Sequence, residues 1–130
     1  MKRRGPKEQD LAIEISFLEG LRQRLPEDPD ILKVLGDDYT RSGRWEDGLR
    51  VDVELSRLLP KDPLVHYNFA CSLALTGKVK DAAEALLRAV QLGYREWIWI
   101  RTDPDLENLR KSPEYERIHQ VILSHSKQKV

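Results

Sequence analysis

A chain of 130 residues sets one domain as the expectation, and 22 Lys+Arg against 22 Asp+Glu leave no net charge. That balance argues against a general electrostatic grip on nucleic acid or on an anionic membrane surface. Apolar residues at 40% and charged residues at 34%, with 7 Gly and 7 Pro, suit a soluble helical domain rather than a disordered or membrane-spanning chain. One cysteine, Cys71, excludes an intrachain disulfide framework and a cysteine-built zinc site. The opening Met1-Lys2-Arg3-Arg4 has the charge of a signal peptide, but Glu8, Asp10, Glu14 and Glu19 break up any apolar core after it. The expected compartment is reducing and cytoplasmic.

In chain order, the first predicted element is a helix over 8–25, with Leu11, Ile15, Leu18, Leu21 and Leu25 on one side. Ile13 and Phe17 widen its apolar stripe beyond one face. Asp28-Pro29 starts the next helix: the aspartate caps free backbone N–H groups, and proline fits the first helical position, where its missing N–H costs nothing. Leu32, Leu35 and Tyr39 follow at helical spacing, and Gly43 ends the helix. A second helix over 45–59 runs to Pro60. The signals then recur. Asp62-Pro63 starts a helix, Tyr67, Ala70, Leu73 and Ala74 carry its spacing, Gly77 ends it, and a helix over 79–92 runs to Gly93. Pro26 to Pro60, Pro29 to Pro63 and Gly43 to Gly77 are each separated by 34 residues, the mark of an internal repeat. Beyond it, Arg95–Ile100 reads as short helical or irregular chain. Asp103-Pro104 and Ser112-Pro113 start two further predicted helices, about 104–111 and 113–125. Residues 1–6 and 126–130 are expected to fray.

A helix–turn–helix unit of this period resembles the tetratricopeptide repeat. Repeat one supplies Leu32, Leu35-Gly36, Tyr39, Gly43, Trp45, Gly48 and Pro60, and repeat two His66, Phe69-Ala70, Leu73, Gly77, Val79, Ala82, Leu86 and Ala89. The stretch from Asp103 through Tyr115 is similar to the tail that closes such arrays in bacterial proteins. The resemblance covers about residues 10–122 and implies an all-α, α-α superhelical fold. Its expected parts are an N-terminal capping helix (8–25), repeat 1 (29–62), repeat 2 (63–96) and a C-terminal helical cap (97–126). Departures are Asp52 where an aromatic belongs and Tyr94 in place of the closing proline. Asp52 is expected either to pair with a basic neighbour or to face water. Trp45 is expected in the core. For Trp97-Ile98-Trp99-Ile100 two readings stand: both indoles buried in an irregular turn, or one capping the array and one exposed.

Catalytic motifs are absent. Gly77-Lys78 lacks the upstream glycine of a phosphate loop, since Ser72 stands there, and Val79 replaces the magnesium-binding hydroxyl. His66, His119 and His125 lack metal-ligand spacing, and Cys71 and His66, five residues apart on one helix, line up poorly. No enzyme activity, cofactor or metal is expected. The basic residues Lys2, Arg3, Arg4 and Lys7 form a short tail for which solubility is the simplest role.

The resemblance implies a concave groove lined by first helices. Its expected floor is Asp30, Lys33, Val34, Asp37, Thr40 and Arg41, then Leu64, Tyr67, Asn68, Cys71 and Leu75, with Tyr67 and Leu75 open to an alternative role in helix packing. The implied function is an adaptor that binds a protein or peptide segment, with no nucleic acid or membrane partner. The alternative is a structural subunit that forms a homodimer through Ile13, Phe17 or the Trp97–Ile100 segment. Some family members clamp a peptide's terminal carboxylate with Lys and Asn. Lys33 and Asn68 match two of those positions, but Asp37 repels a carboxylate, so that clamp is rejected.

Overall fold

The computed structural model describes residues 8–127, and its described part is all-α. The N-terminal basic tail lies outside the described residues, as do 128–130. Helix α1 (Glu8–Arg24) leads into two hairpins, α2 (Pro29–Arg41) with α3 (Trp45–Leu58) and α4 (Pro63–Leu75) with α5 (Val79–Gln91). A closing segment follows: α6 (Trp97–Thr102), a 3₁₀ turn (Pro104–Leu106), α7 (Glu107–Arg110) and α8 (Tyr115–Lys127). Each helix packs on the next from α1 to α5, and the closing segment folds back over α4 and α5.

The two hairpins repeat in their atoms as well as in their letters. The Asp28 carboxylate accepts from the N–H groups of Asp30 and Ile31 at 2.9 and 3.3 Å. Asp62 does the same for Leu64 and Val65 at the same two distances. Replacing either aspartate with alanine leaves two N–H groups without a protein acceptor. Asp28→Ala and Asp62→Ala should each cost about 1 kcal/mol in urea unfolding, and an unchanged midpoint would show that the caps are idle. At the other end, Gly43 and Gly77 take φ of 82° and 81°, conformations open to glycine. Each hairpin turn then closes with paired bonds, Gly43 N–H to Thr40 O and Arg44 N–H to Tyr39 O in the first. The second repeats them with Gly77 to Ala74 and Lys78 to Leu73.

Within the first hairpin the helices meet at small residues. A Cβ on Gly36 would stand 3.2 Å from Val51 Cγ1, tighter than normal contact. Ala70, fully buried, takes the matching position in α4. The core divides in two. Ile15, Leu32, Leu35, Tyr39, Val51, Leu55 and Val65 form the N-terminal cluster. The larger cluster joins α4 and α5 to Trp97, Ile100, Leu106, Leu109, Ile118 and Ile122. The last four of these are at most 1% exposed, so the closing segment is part of the core. Helix α1 adds Leu11 and Ile15, the Tyr39 hydroxyl donating to Glu19 at 2.5 Å, and the Arg22–Glu54 ion pair at 2.6 Å.

Several expectations need correction. Trp45 is 43% exposed rather than in the core. It is the first residue of α3, one turn short of Gly48, where α2 and α3 come together. Asp52 neither pairs with a base nor faces water: it is buried and accepts from the Ser72 hydroxyl at 2.5 Å. The helix expected over 104–111 is a 3₁₀ turn followed by one turn of α-helix. Ser112-Pro113 forms a turn, so α8 begins at Tyr115 and runs through 126 and 127, where fraying was expected. Of the two tryptophans, Trp97 is buried and Trp99 is half exposed.

Candidate functional site

A cleft of about 300 Å³ opens between the two hairpins and the closing segment. Seven of the eleven residues expected to form the groove line it: Lys33, Asp37 and Thr40 from α2, and Leu64, Tyr67, Asn68 and Cys71 from α4. Arg41 is not on the lining; it is exposed and lies 3.5 Å from Asp37 across one helical turn. Asp30 and Leu75 are also off the lining. Val34 belongs elsewhere, beside Ile13 and Phe17 in a shallow apolar groove against α1.

The cleft's walls follow from the 34-residue register. That register makes Lys33 and Asp37 of α2 the counterparts of Tyr67 and Cys71 of α4, and all four line the cleft; Asn68 lines it as well, although its counterpart Val34 does not. Lys33 and Asn68 are exposed. Tyr67 is not: at 3% exposure it is core, its ring stacked on Tyr94 at 4.2 Å between centroids. Its hydroxyl donates to Asp103 Oδ2 at 2.5 Å. Of the two readings open for Tyr67, groove floor or packing, its side chain takes the packing one. The closing segment reaches over and takes Tyr67 as its own anchor point. Cys71 is buried too, its Sγ 3.7 Å from the same Asp103 oxygen, and burial pushes its thiol well above the usual range. A thiol held neutral is a poor nucleophile.

Asp103, Asp105, Asp62, Asp52, Ser72 and Trp99, with Gly36, Leu55 and Val65, complete the lining and were not anticipated as site residues. Asp103 and Asp62 carried a signal, but one that reads as helix capping. Asp103 does cap the 3₁₀ turn through Asp105 N–H at 3.0 Å, while its other oxygen holds Tyr67. Asp105 is raised from its ordinary value by burial and by the negative charges of Asp103 and Asp37, which both lie within electrostatic reach of it.

Two buried acids govern the pH response. Burial pushes Asp52 up to about 6, against the opposing Ser72 hydrogen bond. Asp38, 2% exposed in the α1–α2 interface, is pushed up to about 7 by burial, then by the neighbouring Glu14 carboxyl and by Asp37, with Arg41 opposing. For a carboxyl raised on folding, the folded state binds the proton more tightly than the unfolded chain. Its stabilisation is complete below the ordinary value of 3.8 and is lost as pH rises through the folded value. The melting temperature should therefore fall between pH 5 and pH 8, and Asp38→Asn with Asp52→Asn should flatten that slope. A melting temperature that rises over the same window would contradict these assignments.

Among the described residues no group of three or more His, Cys, Asp or Glu is placed to hold a metal ion, and no helix is long and apolar enough to cross a membrane.

No family model matches the chain. It is 32% identical over 104 residues to a chloroplastic protein of Arabidopsis thaliana. The match covers 78% of this chain but 30% of that protein, so the chain spans less than a third of the relative's length.

Proposed function

We propose that the chain is a non-catalytic interaction module of the tetratricopeptide-repeat type, an adaptor that binds a protein segment in the cleft between α2, α4 and the closing segment. One observation carries the reading: two equivalent pairs of the repeated first helices, Lys33 with Tyr67 and Asp37 with Cys71, line one cleft, and exposed Asn68 lines it beside them. Asn68 can both donate to and accept from a peptide backbone, which suits an extended chain. Leu64, 55% exposed, offers apolar area beside it. No catalysis and no cofactor enter this reading, and neither nucleic acid nor membrane is the partner. A reducing compartment, the cytoplasm, accords with a lone buried thiol. The Arabidopsis relative is by its name a chloroplastic protein, which leaves the binding role untouched.

The test is capture of the native partner by folded variants. Asn68→Ala should weaken capture by about 1–3 kcal/mol, the range of a good contact. Charge reversal at Lys33 should matter less, and chiefly at low salt. Circular dichroism should remain that of the native chain for both. Full capture by both folded variants would place the binding surface elsewhere.

A second reading has its own observation. Ile13 and Phe17 on α1 are 63% and 56% exposed, and with Val34 at 46% they form a continuous apolar surface. A structural subunit that pairs through this surface would bury it in a twofold contact. Light scattering that shows mass rising over micromolar concentrations, and Phe17→Ser returning it to the monomer value, is the result this reading requires. A constant monomer mass removes it.

A further inference from the structure

We propose that the cleft receives a cationic side chain, an arginine or lysine carried by the protein segment that docks there. This rests on the reading of the cleft as a segment-binding face and adds the partner's charge. The lining holds five aspartates, Asp37, Asp52, Asp62, Asp103 and Asp105, against one lysine, Lys33. Lys33 lies 3.8 Å from Asp62, and Asp37 lies beside Arg41. Among the described residues no basic group comes within ion-pair distance of Asp52, Asp103 or Asp105. The cleft therefore carries negative charge that the chain itself does not balance.

An independent observation comes from the base of the cleft. Asp52 is only 6% exposed, and its Oδ2 takes the Ser72 hydroxyl. Its Oδ1 borders Gly36, 3.5 Å from where a Cβ there would stand, and accepts from no donor among the described residues. That oxygen is not among the fully buried atoms left without a partner, so it is open to the cleft and can accept from a donor that a ligand brings. Trp99, half exposed, forms another part of the wall, and an indole face is the best aromatic surface for a cation. The acids are spread along the cleft and do not converge as a metal site would. That spacing suits a long side chain tipped with guanidinium or ammonium, whose stem can lie against Leu64 and Trp99.

The test is selection of a random linear peptide library on the full chain, followed by titration of the enriched peptides. Peptides that share Lys or Arg at one fixed position are expected. Replacing that residue with Gln should cost about tenfold in affinity, as should Asp37→Asn with Asp105→Asn in the chain, and the loss should shrink as salt rises. Both positions are at least partly exposed, so the fold survives their exchange, and circular dichroism checks it. Trp99→Leu should weaken the same peptides and leave neutral control peptides unchanged. Enriched peptides without a basic residue that still lose affinity with Asn68→Ala would overturn the cationic occupant and leave the segment-binding cleft standing. Peptides indifferent to Asn68→Ala and to the acid exchanges, or no enrichment at all, would overturn both. Spermine binding as tightly as the best peptide would assign the cleft to a free polyamine and overturn the proposal.

Discussion

Deleting residues 96–130 is expected to abolish the cooperative thermal transition or to cause aggregation. The segment supplies Leu106, Leu109, Ile118 and Ile122, all at most 1% exposed, to the larger core cluster. Each full burial of such a side chain is worth about 1.5–3 kcal/mol relative to exposure. Four of them approach the whole stability of a small domain, about 5–15 kcal/mol. The deletion also removes Asn108, whose amide donates to Ala74 O at 3.0 Å and closes the end of α4. It removes Asp103, the acceptor for Tyr67. An unchanged melting curve for residues 1–95 would show that the closing segment is an appendage.

The second large effect centres on Tyr67. Tyr67→Ala should destabilise the chain by about 3–5 kcal/mol, the range for loss of a large buried aromatic. It leaves a void beside Tyr94 and an Asp103 oxygen with only the weak Cys71 thiol as a donor. Tyr67→Phe keeps the ring and removes only the hydroxyl. It should cost about 1–3 kcal/mol, the desolvation left on a buried acceptor that has lost its donor. Urea denaturation of both variants separates ring from hydroxyl. Equal midpoints for Tyr67→Phe and the native chain would show that the bond to Asp103 contributes nothing. These costs also mean that lost binding in Tyr67→Ala says little about the cleft, which is why Asn68 is the residue to test.

The hairpins were legible because their signals are local. An aspartate two and three residues ahead of the N–H groups it caps, and a glycine at a left-handed turn, act within one helical turn. Seven of the sixteen residues that line the cleft were legible for a related reason: a fixed register carries Lys33 and Asp37 of α2 onto Tyr67 and Cys71 of α4. What the chain concealed depends on distant partners. Asp103 announces a helix start, and Asp-Pro serves a 3₁₀ turn as well as an α-helix. Nothing local says that its second oxygen meets a tyrosine 36 residues earlier. Trp99 and Asp105 reach the cleft only because the closing segment folds back over α4. Asp52 did carry a signal, a polar residue at a packing position. Its partner is a hydroxyl in the next hairpin, 20 residues along, and only the packing of α3 on α4 reveals it.

The central claim is that a protein segment binds in the cleft between the two first helices, and amide shift mapping tests it most directly. A library-selected peptide is titrated into the isotopically labelled full chain, with the Trp99 indole N–H as an added reporter. The predicted result is a continuous set of shifts over Lys33, Asp37, Asn68 and Trp99, with α5 and the outer face of α1 silent. Shifts confined to Ile13, Phe17 and Val34, with the cleft residues unmoved, would contradict it.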